Sequence, residues 1–224
     1  MTPWRRLLVP ALSTAVMLVI LLGLGTWQVQ RLAWKNDLLA QLARAEAAPP
    51  APLAGNPGPF EKIRIDGQFL PGISALYAAE GRDGRAGPVM GAHLLMVLQR
   101  PDGDPVLVDR GWVPDPPPRP GASAPVSVVG YIRPAEHPGW FSPADDPKAR
   151  HFYTLDPPVI AAALGVPRLA PFTLVALGPP GEPDPVRHLP RPPNDHLSYA
   201  ITWYGLAIVL LVIFLLHARK VLRP

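Results

Sequence analysis

The 224-residue chain contains no cysteine, which removes disulfides, thiol redox chemistry, thiolate metal sites and cysteine-based copper carriage together. Methionine is scarce, with four scattered residues, so a Met-rich copper site is excluded as well. The six histidines show neither H-x-x-x-H nor H-E-x-x-H spacing. Nucleophile elbow, phosphate loop, dinucleotide fingerprint and internal repeat are all missing. Charge is also sparse, at 17% of residues, and the formal net charge of +4 misleads. Arg5, Arg6, Arg219, Lys220 and Arg223 lie in the tails; setting these five aside leaves sixteen bases against seventeen acids. The rest of the chain therefore has no basic excess with which to neutralise phosphates, and nucleic acid is excluded as a partner.

Two long apolar runs dominate what is present. Residues 7–30 and 197–216 carry no charge, and about 20 residues of helix cross the ~30 Å hydrocarbon layer. Backbone in lipid must satisfy its own hydrogen bonds, so each run is expected to be a transmembrane helix, over 7–30 and 196–217. The first is read as an uncleaved anchor rather than a secretory signal, because its run exceeds an h-region and no small-x-small site follows. The tails, 1–6 and 218–224, hold basic residues and no acid, which places both in the cytoplasm. Residues 31–195 are then expected in the periplasm. The short leading tail leaves no room for a transit peptide, so a bacterial plasma (inner) membrane is expected, with its lipid as surroundings.

Beyond Gln30 the first helix is expected to continue, since Leu32, Leu38, Leu39 and Leu42 recur at helical spacing among charges. The proline-rich segment 47–59 should end it. Trp27 and Trp34 flank the expected membrane exit. From Phe60 onward the pattern is one of short strands: within 60–69, then 75–79, 89–98, 106–109, 126–132, 152–154 and 172–177. Turn formers separate them at LPGIS (70–74), GRDGRAGP (81–88), RPDGDP (100–105), PDPPPRPGAS (114–123) and SPADDPK (142–148). The RPDGDP segment should close a hairpin. One short helix is expected at 157–164, capped by Asp156 and stopped by Gly165. The resulting fold class is two transmembrane helices flanking a mainly antiparallel β domain, a sandwich or partly closed barrel, with one short helix. The proline-rich approach to the second span (178–193) is expected to be a stiff, extended connector.

The start of the second span carries the densest chemistry. Asn194 or Asp195 can cap it, and His196, Tyr199, Ala200 and Trp203 share one face of a regular helix. A neutral imidazole at the membrane edge can ligate a metal; Ala200 leaves room for a flat ring and Trp203 gives it an apolar floor. The plainer alternative is a histidine that hydrogen-bonds near the cap above an interfacial aromatic belt. Trp27, Gln28 and Arg31 form a second cluster, which either meets His196 from the neighbouring helix or simply anchors the interface. In Arg110-Gly111-Trp112 the glycine marks a bulge or tight bend that turns Trp112 inward to pack, with no general acid, base or nucleophile beside it. Asp145-Asp146 resembles a catalytic pair but sits in a turn, where solvated acids are the rule. His93, His137, His151 and His188 are expected to be solvated or structural, and His217 to sit at the inner helix end.

The segment NDHLSYAITWYGLA (194–207) resembles the second-span motif of the surfeit locus protein 1 family, usually Asn-Asn-His followed by Tyr-Ala and Thr-Trp. GTWQVQRLAWKNDLL (25–39), VLVDRGWVP (106–114) and the run of Gly130, Arg133, Glu136 and Trp140 are similar to further motifs of that family, in the same order. The resemblance covers nearly the whole chain. It implies an assembly factor for cytochrome c oxidase, not an enzyme, which binds haem a for the oxidase catalytic subunit and works beside haem a synthase. It carries the family's proposed axial haem ligand onto His196, with Trp203 as a neighbour. Arg31, Arg187 and Arg191 are the cations that would meet haem propionates. Asp195 departs from the family's second Asn. The competing expectation is an oxidase-subunit scaffold that binds no haem.

Overall fold

The structure is a computed structural model and describes residues 3–55, 57–84, 87–117 and 124–223. A short 3-10 turn (Pro3–Leu7) leads into helix α1, Leu8–Ala47. The only proline inside α1 is Pro10, in the first turn, where its missing N–H breaks nothing. Pro49 and Pro50 follow the last helical residue and prevent continuation, as the sequence implied. Strands β1 (Ala51–Pro52), β2 (Lys62–Gly84), β3 (Gly87–Gln99), β4 (Val106–Pro114), β5 (Val126–Pro134) and β6 (His151–Phe152) come next. Helix α2 (Pro157–Leu164), strand β7 (Phe172–Ala176) and helix α3 (His196–Leu222) complete the chain. It packs as two compact units: Met1–Gln41 with Arg191–Pro224, and Leu42–Pro190.

In the first unit α1 and α3 pack together. Gly25 is the point of close approach: a Cβ there would lie 2.8 Å from the Tyr204 ring. Thr26 Oγ1 and Tyr204 OH are 3.1 Å apart, and Asn194 Nδ2 donates to Asn36 Oδ1 at 2.9 Å. Small residues at the seam with a few polar cross-links are what holds helices together where burying apolar surface supplies little drive. Both helices are long and apolar enough to cross a membrane, over Trp4–Ala47 and His196–Leu222. Leu12, Ile20, Ile208 and Leu216 are exposed on the outside of the pair, where lipid would solvate them.

The second unit is a seven-stranded, mainly antiparallel sheet. β2 pairs with β5 over Lys62–Gly67 and with β3 from Gln68 onward. The ladder then runs β3–β4–β7–β5 and returns to β2, so the sheet is partly closed on itself. Parallel pairings join β1 and β6 to β2, and β7 to β4. The run Leu94-Leu95-Met96-Val97-Leu98 is buried throughout because β3 has core on both faces. Leu94, Met96 and Leu98 join Ile63, Val108, Ile132 and Leu174 on one side. Leu95 and Val97 pack with Phe152, Ile160 and Leu164 of the α2 layer on the other.

Several expectations change. LPGIS does not separate two strands; β2 runs through it, because residues on both sides pair with β3. Between Phe69 and Ser74 the register slips, the surplus residues form a bulge, and Gly72 takes φ +71°. Within GRDGRAGP, residues 81–84 belong to β2 and 87–88 to β3, while Arg85 and Ala86 lie outside the described residues. Residues 118–123 of PDPPPRPGAS also lie outside them. Asp156 occupies the N-cap position but makes no side-chain cap: Pro158 has no N–H to offer, and the carboxylate lies 3.4 Å from His137 Nδ1 instead. Gly165 does close α2, in the left-handed conformation at φ +70°. Asp195 likewise makes no side-chain cap, since its backbone, at φ −96° and ψ 9°, is not extended. The approach to α3 is not a free extended rod. Asp184 bridges to Trp112, Val186 to Leu177, and Leu189 is buried, so the loop folds back along the sheet.

Candidate functional site

The His196 side chain projects from the first turn of α3 and its Nδ1 lies 2.7 Å from Gln28 Oε1 of α1. Of the two readings of the Trp27–Gln28–Arg31 cluster, the geometry thus brings Gln28 to the histidine and leaves its neighbours outside. Gln28 is only 9% exposed. Among the described residues Nε2 of His196 has no protein hydrogen-bond partner. Trp27 faces outward beneath Arg31, whose guanidinium lies 5.8 Å from the Trp27 ring centroid and 4.9 Å from that of Trp34. Tyr199 is exposed and Trp203 half-buried, on the same helix as the histidine. Ala200 differs from expectation. Its methyl is buried within the helix pair, so its smallness serves packing rather than leaving space for a ring. Ser198 Oγ donates to the Asp195 carbonyl at 2.7 Å, tying the first turn of α3 together.

The cations differ in availability. Arg187 belongs to the other unit and donates to Asp184 Oδ1 at 2.8 Å. Among the described residues Arg31 is held by the two indoles, three residues along α1 from Gln28. Among the described residues no group of three or more His, Asp or Glu side chains is arranged to hold a metal ion.

The sheet unit contains a polar network that sequence reasoning missed. Asp109, 2% exposed, receives His93 Nδ1 at 2.9 and 3.0 Å and the Gly111 N–H at 2.9 Å. Glu80 Oε2 lies 3.3 Å from His93 Nε2, and Glu80 Oε1 accepts from Arg82 at 2.8 Å. Arg82 in turn donates to Asp184 Oδ2 at 2.7 Å and stacks over Trp112, 4.9 Å from its centroid. Burial alone would lower the His93 pKa; the Asp109 and Glu80 carboxylates outweigh it and hold the imidazole above its ordinary value. Burial raises Glu80, and its bonds to Arg82 and His93 more than reverse that. So acids and a base do lie beside Arg110-Gly111-Trp112, and His93 is a bonded, interior group rather than a solvated one. The available signal was a charged Asp109 within VLVDRGWV and a histidine within GAHLLMVL, both runs too apolar to leave a polar residue unpartnered.

Gly111, at φ +110°, forms the expected bulge, and a Cβ there would lie 2.2 Å from the Asp184 carbonyl oxygen. A cleft of about 490 Å³ opens beside it, lined in part by Arg82, Trp112, Glu182, Asp184 and Arg187. Its mixed charges favour no single ligand sign. Asp145 and Asp146 are turn-builders: Asp145 accepts from the Tyr153 N–H, and Asp146 from Lys148 and Ala149. His151 Nε2 bonds the Ala78 carbonyl at 2.7 Å. Trp140 and Phe141 are 100% and 96% exposed, in a turn closed by Ser142 Oγ accepting from the Gly139 N–H at 2.8 Å.

A partly closed sheet flanked in sequence by two candidate membrane helices, with a histidine and a glutamine joined across the helix pair, defines the architectural class. The SURF1 family profile matches residues 15–208, and the chain belongs to that family. A SURF1-like protein of Rickettsia felis is 31% identical over 224 residues, covering 94% of this chain and 97% of its own length. Surfeit locus protein 1 of Mus musculus is 31% identical over 228 residues, covering 91% of this chain and 71% of its own. The Homo sapiens protein of the same name is 28% identical over 227 residues, covering 91% and 73%.

Proposed function

We propose that this chain is a membrane-bound assembly factor for cytochrome c oxidase that takes haem a as cargo and assists its insertion into the catalytic subunit. The single observation that carries the reading is the 2.7 Å contact between His196 Nδ1 and Gln28 Oε1, which occupies one ring nitrogen and leaves the other to a ligand. Haem a has an apolar tail and two carboxylates, and a site at the water-facing end of an apolar helix pair suits both. Arg31, stacked on its indoles and within one turn of Gln28, is the cation for a propionate. Tyr199 and Trp203 offer ring surface beside the histidine. The protein performs no covalent step in this reading. Its helices span a bacterial inner membrane with both termini in the cytoplasm and residues 31–195 in the periplasm, near the oxidase subunit and haem a synthase.

The test is an absorption spectrum of the full chain purified from cells that make haem a. Wild type should carry haem, and His196→Ala should lose it or shift its bands; identical spectra for the two would remove His196 as ligand. A second reading, a scaffold that binds oxidase subunits without haem, is favoured by the fully exposed Trp140–Phe141 turn. Haem-free wild type that still captures oxidase subunits would select it.

A further inference from the structure

We infer that Gln28 is the positioning residue of the site: it fixes the tautomer and orientation of His196 so that Nε2, not Nδ1, meets the incoming iron. This rests on the reading of His196 as the haem ligand. The argument begins with the amide. Gln28 Oε1 has lone pairs and no proton, and it lies 2.7 Å from His196 Nδ1. With that oxygen facing the ring, the proton sits on Nδ1, which donates it. In the neutral ring Nε2 then carries the lone pair and is the atom able to ligate. A histidine without such a partner favours the opposite tautomer, with the proton on Nε2, and must rearrange before binding.

Gln28 is suited to this task by its own fixation. It is 9% exposed, so its amide has little freedom to turn toward water. Its height on α1 is set from both sides by contacts that do not involve the histidine: Gly25 against the Tyr204 ring, Thr26 with Tyr204 OH, and Asn36 with Asn194. A neutral acceptor also differs usefully from a carboxylate. It holds the ring without adding charge, which suits a site that must release its cargo to another protein. An outer partner that orients a metal-binding histidine is typically worth about 10–100-fold in affinity.

The experiment is nitrogen NMR of full-length protein labelled in histidine and held in detergent micelles without haem, followed by haem titration. Wild type should show His196 protonated on Nδ1. Gln28→Leu should move the proton to Nε2 and weaken haem binding about 10–100-fold. Gln28→Glu, whose carboxyl oxygen still accepts, should keep the Nδ1 proton and most of the affinity. A wild-type proton on Nε2 would mean the amide is turned with its N–H toward the ring, and that overturns the inference. So does a tautomer, or an affinity, unchanged by Gln28→Leu. Unchanged haem binding in His196→Ala is a separate result: it removes the ligand, and the positioning role toward haem goes with it even if the tautomer is as stated.

Discussion

Replacing His93 by leucine tests the interior network of the sheet unit. Among the described residues, the variant leaves Asp109, 2% exposed, with the Gly111 N–H as its remaining hydrogen-bond donor. Breaking a buried charge pair by removing one partner costs about 3–5 kcal/mol. Glu80 is 44% exposed, so its share is screened and adds little; the lower figure, about 3 kcal/mol, is the expectation. For a unit of this size each kcal/mol moves the melting temperature by about 2–4 °C, giving a drop of about 6–12 °C near pH 6. The pH dependence has a definite sign. His93 has a folded pKa above its unfolded one, near 6.5. Its ionic contribution is therefore complete below about pH 6.5 and disappears as pH rises through the raised folded value. Thermal unfolding of the detergent-solubilised full chain from pH 5.5 to 9 should show the gap between wild type and His93→Leu narrowing as pH rises. A residual gap should persist, because neutral His93 can still donate from Nδ1 to Asp109. A gap that stays constant or widens would refute the reasoning. The double variant His93→Leu, Asp109→Leu should recover part of the loss, since no orphaned carboxylate remains.

Gly111→Ala should destabilise the sheet unit by more than about 2 kcal/mol, because it combines a left-handed backbone with a collision against the Asp184 carbonyl. Gly165→Ala, also at positive φ but with nothing within 4 Å of the added Cβ, should cost only about 1 kcal/mol; equal denaturant midpoints for the two would contradict the close-approach argument. Trp140→Ser with Phe141→Ser should change stability by less than about 0.5 kcal/mol, since neither ring packs on the fold. On the scaffold reading, co-purification with oxidase subunits should nevertheless fall in that double variant; a large loss of stability instead would show the turn to be part of the core.

The extent to which this fold is legible in the sequence follows from the range of each interaction. Helix boundaries at Ala47 and Gly165 are local events, set by a proline pair and by a residue able to adopt positive φ, and both could be read directly. The run from Leu94 to Leu98 could be recognised as strand, while its burial on both faces depends on where α2 returns, more than fifty residues later. LPGIS contains every mark of a turn, yet whether such a segment reverses the chain or bulges from it depends on what the flanking residues pair with. Here both flanks pair with β3, so the bulge wins. At the site, residue type and resemblance were enough to nominate Gln28 and His196, with their meeting left as one of two alternatives. Their contact spans 168 positions and depends on how α1 and α3 pack, with Gly25 in close approach to the Tyr204 ring.

The polar network shows the same limit more sharply. A carboxylate inside VLVDRGWV announces that a partner must exist, because an interior charge without one is untenable. Its identity is a matter of register. The bulge at Gly111 makes β4 advance three residues, from Asp109 to Trp112, while β3 retreats two, from Leu95 to His93. That slip places the imidazole over the carboxylate. A second slip, between Tyr77 and Glu80 of β2 and with Ala78 at φ +59°, brings Glu80 to the other side of the same ring. Two irregularities, each of which looks like a defect when its strand is considered alone, are therefore what allow a buried carboxylate, a largely buried imidazole and a half-exposed glutamate to satisfy one another across an apolar sheet.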